Sequence, residues 1–146
     1  MVVKVKWVDS WKDIPKDVRE RNQITSKTHL VGLSDRGITY LIRGKATKST
    51  ELHEEYHHIK KHPGKERNPK DFALHELQAS MYAYNKVKQP AHILGQLRAI
   101  YNDLTINIYK CNKTDALSAI CSALKQIKAP NSWVEDYKKL KNLACR

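Results

Sequence analysis

The stretch Glu51-Leu52-His53-Glu54-Glu55-Tyr56-His57-His58 constrains this chain more than any other, because it holds the pattern His-Glu-x-x-His at residues 53–57. Residues four apart lie one above the other on an α-helix, so a helix here turns the imidazoles of His53 and His57 towards one point. Two neutral imidazole nitrogens with a carboxylate nearby suit Zn²⁺, which takes nitrogen and oxygen ligands tetrahedrally. Glu54 stands one position round the helix, where a carboxylate that is not a ligand can take a proton from metal-activated water. The same residues also fit a solvated, mixed-charge helix rich in histidine. A third ligand elsewhere in the chain decides between the two.

Glu76 is the candidate. In Glu76-Leu77-Gln78-Ala79-Ser80-Met81-Tyr82-Ala83, residues Glu76, Ala79, Ser80 and Ala83 fall at i, i+3, i+4 and i+7 and share one helix face. Small side chains on that face let a second helix backbone come close. Two antiparallel helices joined by a short turn would then bring Glu76, nineteen residues beyond His57, to an ion held by the histidines.

The surrounding pattern predicts an α+β fold, with a small, mainly antiparallel sheet followed by a helical part. Residues 2–8, 29–33 and 38–43 read as strands, with Ser34-Asp35-Arg36-Gly37 as the turn of a hairpin. Pro15 opens a short helix over Lys16–Arg21, with Asp13 as its cap. The motif helix starts at a cap on Ser49 or Thr50, carries Leu52, Tyr56 and Ile59 as its apolar stripe, and stops at Pro63-Gly64. Asn68-Pro69 caps and opens the helix that bears Glu76, which runs over 70–86. Helices then follow over 91–104, over 115–127 capped by Thr114, and over 133–143 with Ser132 and Glu135 as a capping box. Residues 105–110 read as a loop. The expected organisation is one domain over 1–146, sheet-rich at 1–48, with the metal-site helices at 49–88 and C-terminal helices at 90–146.

Composition narrows the function classes. No run of 18 apolar residues exists to span a membrane. Residues 1–7 lack the apolar core of a secretory signal, and Cys111, Cys121 and Cys145 show no Cys-x-x-Cys spacing, so a cytoplasmic location is expected. The net charge of +12 permits polyanion binding, but lysine and arginine are spread from Lys4 to Arg146 rather than gathered in a block. A basic regulatory or nucleic-acid-binding protein, with a structural metal or none, therefore stands as the alternative to an enzyme. His58 and His62 are expected to be exposed, and Trp7, Trp11 and Trp133 to be packing aromatics. His75, Tyr82 and His92 have no spacing that assigns them a role.

His-Glu-x-x-His followed about twenty residues later by Glu76-x-x-Ala79-x-x-Tyr82-Ala83 resembles the gluzincin metallopeptidases. It is most similar to their small single-domain members, the minigluzincins and the ImmA/IrrE-type peptidases of bacteria and phages. The resemblance is concentrated in residues 49–84, with a preceding hairpin that also suits the family. It implies a zinc-dependent peptidase acting on a peptide or protein substrate. His53, His57 and Glu76 would be the zinc ligands and Glu54 the general base, with the fourth metal position open. It further implies that an extended substrate adds to the edge of the sheet, at the strand over 38–43. Glu55-Tyr56 stands where the family usually carries an apolar residue and a glycine, and Glu55 is expected to face solvent. A metzincin is a weaker reading, because Lys60 and Pro63 occupy the places of its glycine and third histidine. A peptide deformylase is a weaker reading too, because no cysteine precedes residue 111.

Overall fold

A computed structural model describes residues 4–25, 30–60, 66 and 68–144. The expected strand starts at residues 2 and 29, His62, the Pro63-Gly64 stop and Cys145 lie outside them. The architecture is α+β, as the hydrophobic periodicity requires, and the chain divides into two compact units, residues 1–64 and 65–146.

In the first unit the chain forms β1 (Lys4–Val8), a 3₁₀ turn (Trp11–Asp13), α1 (Lys16–Arg21), β2 (Gly32–Asp35), β3 (Ile38–Ile42) and α2 (Lys48–Ile59). The strand order is β1-β3-β2, with β3 parallel to β1 and antiparallel to β2. The sheet is therefore mixed rather than mainly antiparallel. The chain leaves β1 through α1, enters β2 at the far edge, and returns through the centre as β3. A helical crossover of this kind is what a parallel pair needs. Asp13 closes a capping box with Ser10 on the 3₁₀ turn instead of capping α1.

β3 is the middle strand, so the strand expected to receive a substrate along its edge has both edges paired. Its side chains alternate between two covered faces. Tyr40 and Ile42 pack with Ile14 and Val18 on one face. Thr39 and Leu41, both buried, point to the other. The β2–β3 loop has only two residues, Arg36 at φ +48° and Gly37 at φ +82°. Two successive positive φ values make the type I′ turn whose twist matches the strands. Ser34 and Asp35 thus belong to β2 and not to the turn. Partners explain this: Asp35 accepts from Arg21 Nη2 at 2.7 Å and from Asn22 Nδ2 at 3.2 Å, and Ser34 Oγ lies 3.3 Å from Thr39 Oγ1.

α2 is capped by Thr47, two residues before Ser49 and three before Thr50. Thr47 accepts from the Thr50 N–H, and the Thr50 hydroxyl accepts from the Thr47 N–H. The helix lies against β2 and β3 through Thr50, Glu54 and His58, a polar stripe at i, i+4, i+8. Leu52 of the expected apolar stripe is buried, whereas Ile59 is 47% exposed. The approach is close at Gly32, where an added Cβ would stand 2.9 Å from Thr50 Cγ2 and 3.1 Å from Leu41 Cδ2.

The second unit contains α3 (Pro69–Val87), α4 (Leu94–Asn102), a π-helical turn (Asp103–Asn107), α5 (Lys113–Gln126) and α6 (Asn131–Ala144). Asn68 caps α3 by accepting from the Asp71 N–H at 2.8 Å, with Pro69 at the first helical position. α5 is capped by Asn112, not Thr114. Ser132 lies inside α6 rather than at a cap before it, and its hydroxyl donates to the Ala91 carbonyl at 2.7 Å. The π-helical turn occupies part of the expected 105–110 loop. Leu77, Leu97, Leu104, Ile120 and Trp133 are fully buried at the centre of this unit. Asp136, also buried, accepts from the Ile93 N–H at 2.9 Å and so ties α6 to the start of α4.

The contact at Gly32 makes the first prediction. Gly32→Ala should lower the stability of the first unit by about 1–3 kcal/mol, the usual effect of overfilling a packed site. Adding Thr50→Ser, which removes the crowded methyl group and keeps the capping hydroxyl, should recover part of the loss in denaturant titrations. An unchanged midpoint for Gly32→Ala would contradict the packing described.

Candidate metal centre

The helical span Lys48–Ile59 gives residues 53 and 57 the one-above-the-other relation that their spacing demands. The two Nε2 atoms stand 3.2 Å apart, with the rings edge-on at 73° and their centroids 4.9 Å apart. Two neutral imidazoles facing each other in this way can share a proton, or both can give lone pairs to one cation. Around a tetrahedral zinc with Zn–N of about 2.0–2.1 Å, two nitrogens are about 3.3–3.4 Å apart. The observed separation fits that edge without rearrangement.

Glu76 completes the group. One ligand atom from each of His53, His57 and Glu76 lies within 4.8 Å of the other two, and all three side chains are partly buried. Among the described residues this is the one set of three histidine, cysteine or acidic side chains that close together. Two imidazoles and a carboxylate are a donor set that zinc accepts. The free thiols of Cys111 and Cys121 take no part in it.

Glu54 faces the sheet. The Ser34 hydroxyl donates to its Oε2. Ser34 Oγ in turn lies 3.3 Å from Thr39 Oγ1, which is 2.8 Å from His58 Nε2. A polar seam thus runs from Glu54 through Ser34 and Thr39 to His58. His58 is half-buried in this seam and not exposed as expected. Burial holds its imidazole pKa below the ordinary range, with the Glu54 charge acting against that shift and His57 reinforcing it. Glu55, expected to face solvent, is partly buried.

Within the second unit Glu76 has acidic company. Burial raises the carboxyl pKa of Asp103, on the π-helical turn; a hydrogen bond from Asn107 opposes the rise and the charge of Glu76 adds to it. The Tyr109 hydroxyl donates to the Glu66 carbonyl at 2.7 Å. Its pKa is pushed up to about 12, chiefly by burial and secondly by the charge of Glu66. The carboxylate of Glu66, itself buried, lies 3.0 Å from Nδ1 of His75. His92 Nδ1 lies 3.4 Å from Asp136. Trp133 is a core aromatic, Trp11 lies beneath the Arg19 guanidinium at 5.5 Å, and Trp7 is 42% exposed.

Sequence spacing does not single out Ser34, Thr39, Glu66 or Asp103, since each depends on a partner distant along the chain or in another element. No family model, curated protein or solved structure matches the chain. No helix among the described residues is long and apolar enough to cross a membrane.

The shifted tyrosine has a consequence for stability. A phenol whose folded pKa exceeds its unfolded value stabilises fully below the unfolded pKa and loses that contribution as pH rises through the folded one. For Tyr109 the window runs from the ordinary 10.0 to about 12. Denaturant titrations should therefore show wild-type stability falling more steeply than that of Tyr109→Phe as the pH rises above 10. Parallel slopes would contradict the buried neutral phenol.

Proposed function

We propose that this chain is a zinc-dependent peptidase of gluzincin type, hydrolysing a peptide or protein substrate. The observation that carries the reading is the convergence of His53, His57 and Glu76, with two imidazole nitrogens already at the spacing of a tetrahedral edge. Each of these side chains would hold the ion through one atom. Zinc, when bound, supplies a Lewis acid that makes water more acidic and polarises a peptide carbonyl.

Glu54 is the base. Its carboxylate takes a proton from the attacking water and delivers it to the amide nitrogen as the peptide bond breaks. Its position next to His53 on the same turn of α2 puts it beside the donor group without making it a member. The Ser34 hydroxyl occupies one lone pair of Oε2, and a carboxylate has about four such acceptor sites. An extended substrate would approach along β2, which is an outer strand and carries Ser34. This moves the docking strand from β3, the central one.

The test is a pair of variants in the full chain. Glu54→Gln should keep one zinc per chain while hydrolysis of a fluorogenic peptide library falls by about 10²–10⁴-fold. Glu76→Ala should weaken zinc binding by at least about tenfold. Chelation should abolish wild-type hydrolysis and added zinc should restore it. Hydrolysis that survives Glu54→Gln removes that residue as the base, and unchanged zinc affinity in Glu76→Ala removes the third ligand.

A further inference from the structure

We infer that Ser34 is the positioning residue for Glu54, an inference that rests on the peptidase reading above and adds a residue to it. The motif helix meets the sheet through the three residues of one stripe, at successive turns. Thr50 meets Gly32, Glu54 meets Ser34, and His58 meets Thr39. The match is metric. Four residues of helix rise about 6.0 Å. Two residues of strand rise about 6.6 Å. Alternate residues of β2 therefore keep step with successive turns of α2. Thr39 extends the series across the hairpin, since it is the register partner of Ser34 on β3.

The lack of a side chain at Gly32 sets the depth of the contact. With the helix drawn in there, the next residue on the same strand face, Ser34, comes within reach of the next residue on the same helix stripe, Glu54. The contact is a hydroxyl donating to a carboxylate oxygen, a charge-assisted bond of the stronger kind. A helix–sheet contact that served only stability would be expected to bury apolar side chains, since non-directional apolar burial is the main source of packing energy. Here two of the three rungs are hydrogen-bonded polar pairs, and Thr39 is 1% exposed.

The arrangement repeats the logic of an oriented base, in which a third group fixes the side chain that moves the proton. Ser34 restricts Glu54 to the rotamers that keep Oε2 on the sheet, so Oε1 is presented to water in a defined direction. The Thr39–His58 contact one turn further on keeps the helix from rolling. Ser34 touches neither the metal donors nor, in this account, the substrate's reacting atoms.

The test compares Ser34→Ala and Ser34→Thr in the full chain. Zinc affinity is measured by chelator competition, and kcat and KM on one cleaved peptide from a fluorogenic library. The third readout needs no metal: the side-chain carboxyl ¹³C resonance of Glu54 in the metal-free protein, assigned by its disappearance in Glu54→Gln. Ser34→Ala should lower kcat by about tenfold or more, leave KM and zinc affinity within twofold, and move the Glu54 resonance. Ser34→Thr, which keeps the hydroxyl, should restore both kcat and the resonance. Wild-type kcat in Ser34→Ala, or an unmoved resonance, overturns the inference. Equal loss of zinc affinity and kcat in both variants also overturns it, because that is the pattern of a merely structural residue. A zinc-loaded wild type that cleaves no member of the library overturns the peptidase reading and the role of Ser34 with it. That result differs from the others in appearing before any substitution is made.

Discussion

Two imidazole nitrogens held 3.2 Å apart on successive turns of one helix cannot both present lone pairs to each other in an otherwise neutral site. Something positive has to lie between them, either a proton carried by one ring or a cation shared by both. A carboxylate oxygen of Glu76 lies within 4.8 Å of a ligand nitrogen of each ring, so the three side chains form a group that could hold a metal ion.

That pairing depends on how the helix is seated. Each residue turns an α-helix by about 100°. With Thr50, Glu54 and His58 against β2 and β3, His57 stands about 60° and His53 about 100° round the helix from Glu54, towards the side of Thr50. Gly32 permits the close approach, Ser34 and Thr39 receive the polar stripe, and the two-residue turn at Arg36-Gly37 holds β2 and β3 in the register that places them side by side. A one-residue slip in that hairpin would put Ser34 and Thr39 on opposite faces of the sheet and leave Glu54 or His58 without its partner. The seating of α2 is thus specified by side chains of the hairpin as much as by the motif.

Much of this was legible before any coordinates. Asn68-Pro69 marks a helix start by local chemistry alone, and the structure has it there. His53 and His57 share a helix face because their spacing leaves no alternative once the segment is helical. What was not legible has a common cause. The stripe Thr50, Glu54, His58 looks like a solvent face, since nothing local reveals that hydroxyl groups on two strands await it. Ser34-Asp35 looks like a turn for the same reason: the residues have turn chemistry, and only Arg21, Thr39 and Glu54 show why they sit in a strand. The parallel pairing of β1 with β3 escapes a periodicity argument because alternation reports which face is covered and not which neighbour runs alongside. Asp103 and Glu66 needed the fold itself, as each lies in a different element from Glu76.

X-ray absorption at the zinc edge, on the full chain loaded with one equivalent of zinc, tests the central claim most directly. Two imidazole scatterers and further oxygen scatterers should account for the coordination shell at about 2.0–2.1 Å. A sulfur contribution at about 2.3 Å, a shell with a single imidazole, or a chain that retains no zinc through gel filtration would contradict the assignment of His53, His57 and Glu76 as one metal centre.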